Sequence, residues 1–205
     1  TDTRLAHVTL EPGESRRLDL GKEGGEPLWA GVVRLASGSP VRGPSKIWLT
    51  EPEFVVVPTD AQGAFSHRVP AGSYRGQIDF PGRSDASHRF EVTIGPDGLR
   101  ADISVPGVRL EGVLWDSTTR APLPPGTDTP KPVVRLRQVN AEATREVAHV
   151  VPDATGRFHF DAVTSGRWML VATSHKSDEA VEWGSLRVDV LEHDLTGLVV
   201  EATLR

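Results

Sequence analysis

The sequence predicts an all-β chain made of two consecutive β-sandwiches joined by a short linker. Apolar and polar residues alternate with a period of two in almost every apolar segment, as they do in strands with one buried face. A turn-and-strand motif occurs twice, roughly ninety residues apart, which indicates a duplicated unit. The 205 residues are also enough for two domains of about 100 residues each.

The predicted strands follow one another as short runs bounded by Gly, Pro, Asp and Ser. The clearest are IDF at 78–80, RFEVTI at 89–94, VVRLRQV at 133–139, RFHFDAV at 157–163, SLRVDV at 185–190 and LVVEATL at 198–204. The segment NAEATREVAHV contains helix-favouring alanines and glutamates, but it runs directly into a turn signal. We interpret it as a loop that leads into a strand, and we find no convincing helix elsewhere.

Each copy of the repeated motif begins with a polar turn, DAQG at 60–63 and DATG at 153–156. The aspartate of such a turn can accept hydrogen bonds from backbone N–H groups two residues on, and the glycine can adopt positive φ. An aromatic residue then opens a strand whose alternate side chains enter the core. The residues concerned are Asp60, Gly63 and Phe65 in the first copy and Asp153, Gly156 and Phe158 in the second.

A corner of small residues follows this strand in each copy, VPAG at 69–72 and VTSG at 163–166. A second aromatic residue stands two positions after the final glycine, where we expect it to lie in the core. These residues are Gly72 and Tyr74 in the first copy and Gly166 and Trp168 in the second. Each copy therefore supplies one hairpin and one corner of a sandwich.

The matched starts and ends of the copies predict domains at 27–105 and 108–205. Between them, Val105-Pro106-Gly107-Val108 spans only about 10 Å when extended, so we expect the domains to lie end to end with restricted bending. Residues 1–26 form a separate segment with strand character. We interpret it either as the end of a preceding domain or as a strand that belongs to domain 1.

Composition excludes several classes of function. The net charge of −5 and the lack of a basic run with interleaved aromatics argue against a nucleic-acid partner. No apolar run approaches the roughly 20 residues that a membrane span requires, and the first residues lack the features of a signal peptide. The chain contains no cysteine, which removes disulfides, thiolate nucleophiles and cysteine-based metal sites.

The turn TDAQGAF at 59–65, the corner VPAGSY at 69–74 and a glycine within the first strand together resemble carboxypeptidase regulatory-like domains. These belong to the transthyretin-like, or prealbumin-like, superfamily, which includes B-type repeats of Gram-positive surface proteins. The resemblance implies Greek-key sandwiches of transthyretin-like or Ig-like type. It also implies a non-catalytic module without a cofactor, in an exported bacterial protein that is secreted, periplasmic or on the cell surface.

Enzyme and metal sites find little support in the residues. Tyr74-Arg75-Gly76 is similar to the terminal YRG of hydroxyisourate hydrolases, but it lies inside a strand with a long continuation, so a core tyrosine is the favoured interpretation. His149 and His159 flank one hairpin turn and could approach across strands, yet no third zinc ligand is evident. We therefore predict no catalytic residue and no metal site.

Two tryptophans are the candidate ligand-binding residues. Trp48 alternates with Ile47 and Leu49, so it points to the opposite face of its strand, and Trp183 follows the charged Glu182 in a predicted edge segment. An exposed tryptophan on a sandwich face can stack on a sugar ring. Packing against loops or the neighbouring domain is the favoured alternative for both.

These observations predict a structural spacer or protein-interaction module of a larger exported protein. The expected partners are other domains of the same chain or a protein that pairs with an open sheet edge. A carbohydrate-binding module that uses Trp48 or Trp183 is the second hypothesis, with polysaccharide as its ligand. A transthyretin-like hydrolase is the third.

Overall fold

The structure is a computed structural model that describes residues 25–80, 83, 87–125, 131–140, 143–174 and 181–204. These residues form sixteen strands and no helix, so none of them belongs to a helix that could cross a membrane. The all-β prediction is confirmed. The segment at 140–150, whose alanines and glutamates favour helices, contains strand β12 as interpreted from its sequence.

The first sandwich consists of the first eight strands. They are β1 (Leu28–Leu35), β2 (Lys46–Glu51), β3 (Val55–Pro58), β4 (Ala64–Arg68), β5 (Gly72–Asp79), β6 (Ser87–Ile94), β7 (Leu99–Arg100) and β8 (Ile103–Val105). One sheet has the order β3-β2-β5-β6 and is antiparallel throughout. In the other, β1 pairs antiparallel with β4 and parallel with both β7 and β8.

The second sandwich repeats this arrangement with the last eight strands. They are β9 (Val108–Asp116), β10 (Ala121–Pro122), β11 (Pro132–Val139), β12 (Thr144–Val150), β13 (Arg157–Val163), β14 (Gly166–Ser174), β15 (Glu182–Val190) and β16 (Leu195–Ala202). The antiparallel sheet has the order β12-β11-β14-β15, and β9 is flanked by β10, β13 and β16 in the other sheet. The final strand again runs parallel to the first, here β16 to β9.

Each sandwich encloses its own hydrophobic core, because alternate residues of the facing sheets point inward. Trp29 is fully buried in the first core, where its ring centroid lies 4.7 Å from that of Phe65. Trp168 is buried in the second core together with Phe158 and Leu170. The resemblance to transthyretin-like sandwiches therefore holds at the level of the fold, as two consecutive sandwiches that each have a four-stranded antiparallel sheet.

The two sandwiches differ in how they end. The second ends in the single strand β16, whereas the first ends in two separate strands, β7 and β8, with Ala101 and Asp102 between them. The Asp102 carboxylate accepts hydrogen bonds from the backbone N–H of Val32, at 2.9 Å, and from the Arg34 side chain, at 2.7 Å. These bonds lower the pKa of Asp102. The Asp102 carboxylate thus accepts the hydrogen bond that a backbone carbonyl would accept in a continuous strand, and the strand is interrupted.

Candidate functional site

The junction between the sandwiches, which we call the joint, begins at the two residues between β8 and β9. Gly107 has a φ of 96°, a region that side chains of L-residues rarely adopt. A Cβ atom at Gly107 would lie 2.6 Å from the carbonyl carbon of Ala162 and 2.7 Å from the carbonyl oxygen of Val163. The carbonyl of Gly107 also accepts a hydrogen bond from the Ala36 N–H of the first sandwich. The linker is therefore packed against both sandwiches.

A buried ion pair lies at the centre of the joint. Arg109, near the start of β9, binds Asp161 of β13 through two N–H groups, at 2.6 Å and 3.2 Å. Their side chains are only 6% and 5% exposed. A buried ion pair loses hydration on both sides and is stable only when its remaining hydrogen-bonding groups are also satisfied. In this joint the first sandwich satisfies them.

Two backbone groups of the first sandwich complete the hydrogen bonding of this pair. The carbonyl of Pro40 accepts a bond of 2.6 Å from Nη2 of Arg109. The backbone N–H of Arg42 donates a bond of 2.5 Å to Oδ2 of Asp161. The segment 40–42 therefore contacts the arginine and the aspartate together, which defines where the first sandwich sits on the second.

Asp194, between β15 and β16, makes a second connection across the joint. Its carboxylate accepts hydrogen bonds from the backbone N–H of Arg109, at 2.9 Å, and from the hydroxyl of Ser39, at 2.7 Å. Partial burial opposes ionisation of Asp194, but these bonds, one from Ser37 and the charge of Arg109 together lower its pKa. The carboxylate thus connects the turn after β1 to the start of β9.

Further contacts across the joint surround the Arg109–Asp161 pair. Nη1 of Arg42 lies 2.7 Å from Oε2 of Glu111, and Nη1 of Arg83 donates to the backbone carbonyl of Asp161 at 2.6 Å. Arg83 also forms a backbone bridge with Ala148 of β12. Ala162, which has a φ of 57° beside a bulge in β13, packs into the core of the first sandwich.

The two copies of the turn motif have matching geometry. Oδ1 of Asp60 accepts hydrogen bonds from the N–H groups two and four residues on, and Oδ1 of Asp153 does the same. Gly63 and Gly156 share a φ of 74° and donate back to the carbonyls of these aspartates. Hydrogen bonds from its own turn lower the pKa of Asp153. Phe65 and Phe158 follow and are buried.

The aromatic residues after the two corners also act alike. The Tyr74 hydroxyl donates to the carbonyl of Pro70, and the Trp168 indole N–H donates to the carbonyl of Thr164, four residues earlier in both cases. The glycines of these corners, Gly72 and Gly166, begin β5 and β14. Burial, together with nearby glutamates, raises the pKa of Tyr74. Its hydroxyl is therefore a neutral donor inside the core, a structural rather than a nucleophilic role.

Trp48 lies on the outer face of the sheet β3-β2-β5-β6 and is half-buried. Its ring centroid is 5.5 Å from that of Phe54, which is 67% exposed, and Nζ of Lys46 lies 5.9 Å from its centroid. Across the strands Trp48 is paired with Gln77. Gln77 lines an open groove of about 650 Å³ together with Thr50, Arg75, Arg89 and Glu91.

Trp183 has a different environment from Trp48 and lies in the other sandwich. It is half-buried on the edge strand β15 and packs against the second core. Its backbone carbonyl accepts a hydrogen bond from the N–H of Thr203, beyond the end of β16. The structure therefore does not bring the two candidate tryptophans together.

His149 and His159 both border the joint, on β12 and β13, where they line a small pocket between the sandwiches. Within the described ranges, no group of three or more His, Cys, Asp or Glu side chains is arranged to hold a metal ion. The proximity that their sequence positions suggested is present, but without a metal-ligand set.

Sequence reasoning missed the residues at the centre of the joint. Arg109 comes directly after the linker, and Asp161 follows Arg157 and His159 on the polar side of the alternating segment RFHFDAV. The charge of each residue was the available signal that it could take part in an ion pair. Their pairing was not readable, because 52 residues separate them in the chain.

No protein-family model matches the sequence, and no curated protein matches it either. Among solved structures, the chain is similar to a streptococcal ancillary pilin, with 12% identity over 90% of this chain and 64% of that one, and a TM-score of 0.34. For GBS52, a minor pilin of Streptococcus agalactiae, the identity is 14%, the coverage 94% of both chains and the TM-score 0.31.

Another similar structure is the Bacillus anthracis TIE protein, with 14% identity and a TM-score of 0.30. The match covers 88% of this chain but only 34% of that protein, so this chain spans about a third of its length. Identities and TM-scores this low carry no information about function or partners.

Proposed function

We propose that this chain is a structural spacer, a tandem of two β-sandwich domains held at a defined angle within a larger exported protein. The domains would comprise residues 27–105 and 108–205. The observation that carries the proposal is the buried Arg109–Asp161 pair, whose remaining hydrogen bonds come from the Pro40 carbonyl and the Arg42 N–H of the first sandwich. A secreted, periplasmic or cell-surface location follows from the resemblance to exported modules.

Bending at the joint would break hydrogen bonds to the buried ion pair. Relative motion is the default for two domains in one chain unless their interface opposes it. If this joint opened, the Arg42 N–H and the Pro40 carbonyl would leave the ion pair, and both charges would exchange these partners for water. Hydrogen bonds to charged groups contribute about 1.5–3 kcal/mol each, so the docked arrangement is favoured.

We further propose that the tandem is not catalytic and that its partners are other domains of the same chain or a protein partner. The only tyrosine, Tyr74, uses its hydroxyl to bind the Pro70 carbonyl in the core, which argues against the hydrolase hypothesis. A partner could add a strand at β6, an outer strand of its sheet that pairs with β5.

Small-angle X-ray scattering of the chain tests the spacer proposal. We expect the data to fit one conformation of the two sandwiches at both low and high salt, because a buried ion pair is screened little by salt. The matched control carries Gly-Ser-Gly-Ser inserted between Pro106 and Gly107, which should broaden the distribution of sizes. An unmodified chain that is as broadly distributed as this control would contradict a rigid spacer.

A second candidate function is saccharide binding on the outer face of the first sandwich. It is favoured by the contact between Trp48 and the exposed Phe54, beside a groove lined by Gln77, Arg75 and Glu91. Aromatic rings supply rigid apolar area for a sugar face, while the polar side chains supply donors and acceptors for its hydroxyls. Trp183 is the weaker candidate, because it packs against the second core.

Titration with a panel of soluble polysaccharides, followed by tryptophan fluorescence, tests this candidate. We expect a saturable change whose affinity falls at least about tenfold in Trp48→Ala and Phe54→Ala, since central aromatic contacts carry much of a binding energy. Trp115→Ala, on the other sandwich, is the control and should leave the affinity unchanged. A flat response across the panel would remove the saccharide hypothesis and leave the spacer proposal intact.

A further inference from the structure

A pocket of about 150 Å³ lies at the joint, between the two sandwiches. Its apolar walls come from both sides, with Pro44 and Phe80 from the first sandwich and Val150 and Phe160 from the second. A water molecule occupies about 30 Å³ in the liquid, so the pocket has room for about five waters or for one small organic molecule.

The polar groups around this pocket are mainly basic. Arg42 and Arg83 reach it from the first sandwich, and His149 and His159 from the second. Among the described residues of the lining, the one acidic residue is Asp161, which is already bound by Arg109. The described lining thus has four basic side chains and one acidic one, in a chain whose net charge is −5.

The neighbouring glutamates are also paired with arginines. Glu111 lies 2.7 Å from Arg42 and 3.8 Å from Arg157. Glu146 binds Arg135 at 2.8 Å, with Nδ1 of His149 at 3.8 Å. Each arginine side chain carries five N–H donors, so Arg42 can keep its bond to Glu111 and direct another N–H group to a second anion.

We propose that this pocket binds a small organic carboxylate with an apolar body. The apolar walls suit the body of such a ligand, and the basic side chains suit its carboxylate, because hydrogen bonds between ionised partners are about twice as strong as neutral ones. Phosphate and sulfate fit less well, since they would leave the walls formed by Phe80 and Phe160 without an apolar partner.

The position of the pocket gives this ligand an effect on the joint. A molecule that contacts Arg42 and Phe80 on one side and His159 on the other binds the docked arrangement better than a separated one. By mass action it then stabilises docking, by an amount that grows with its concentration relative to its Kd. The inference rests on the docked joint of the proposed spacer, to which it adds a ligand.

Benzoate is a suitable probe, and benzamide is its neutral counterpart of the same shape. The binding is followed in the full chain by NMR, through the ring signals of its seven histidines. We expect benzoate to shift the signals of His149 and His159 saturably in the millimolar range, as is typical for a ligand of this size. Benzamide should bind at least about tenfold more weakly, because it lacks the charge.

Two variants test the assignment of the site. Arg42→Gln removes the guanidinium but keeps the backbone N–H that binds Asp161, and His159→Gln removes one imidazole. We expect each to weaken benzoate binding about tenfold. His67→Gln, on β4 and outside the pocket lining, is the control and should leave the affinity unchanged.

Three results would overturn the proposal: no saturable shift, equal binding of benzoate and benzamide, or unchanged affinity in both Arg42→Gln and His159→Gln. Scattering from the same samples separates this failure from that of the spacer. A compact, single conformation without benzoate binding would reject only the carboxylate site. A broad distribution of conformations would reject the docked joint itself.

Discussion

Asp161→Ala is expected to lower the free energy of unfolding by about 3–5 kcal/mol, the usual effect of removing one partner from a buried ion pair. The alanine would leave the Arg109 guanidinium buried without its counter-charge, and the backbone N–H of Arg42 without its acceptor. Because Arg42 belongs to the first sandwich, we also expect the joint to open, so that scattering reports a wider distribution of conformations.

Urea denaturation of the variant and the unmodified chain measures the stability change. Glu51→Gln is the matched control, since it breaks the exposed ion pair with Arg75, at 3.2 Å, and should cost no more than about 1 kcal/mol. If Asp161→Ala were no more destabilising than this control, the pair would not be a stabilising element of the joint. An unchanged scattering curve would show that the linker alone restricts bending.

A double replacement separates stability from orientation. Arg109→Met combined with Asp161→Leu removes both charges, and an apolar pair of similar volume often matches or exceeds the stability of a buried ion pair. The Pro40 carbonyl and the Arg42 N–H would still lose their partners across the joint. We therefore expect stability close to that of the unmodified chain together with a looser joint.

Trp168→Ala is expected to cost about 3–5 kcal/mol, the range for removing a large aromatic side chain from a core. Trp168 is only 2% exposed, and its indole N–H binds the carbonyl of Thr164 across the corner. The alanine would leave a cavity in the second sandwich and a carbonyl without its donor. The same corner in the first sandwich depends on Tyr74 and Pro70.

Two further variants, Trp168→Phe and Trp115→Ala, are compared with Trp168→Ala. The phenylalanine keeps an aromatic ring but loses the N–H donor, so we expect an intermediate loss of stability in urea denaturation. Trp115 is half-buried on the outer side of β9, and its removal should cost less than that of Trp168. Equal losses for Trp168→Ala and Trp115→Ala would contradict the assigned role of the corner.

Much of the fold could be predicted because its signals are local. Alternation with a period of two predicted strands such as β13 and β15, which the structure contains. The interrupted strand β7–β8 could not be predicted, because the carboxylate of Asp102 binds the N–H of Val32, 70 residues away in the chain. Alternation places Trp48 on the opposite face of its strand from Ile47 and Leu49, but its contact with Phe54 depends on how the β2–β3 turn folds back.

The sequence by itself determined three properties. Apolar and polar residues alternate as they do in strands, the chain turns at the two Asp-to-Gly motifs, and the turn-and-strand motif occurs twice. Each of these properties is encoded by neighbouring residues. Only the tertiary structure decided what covers each strand. Arg109 alternates outward from the core of its own sandwich, as a surface arginine would, yet it is buried because the first sandwich packs over it. The joint and its pocket therefore come from long-range packing, since burial of a charged side chain depends on the surface that meets it rather than on the residues beside it.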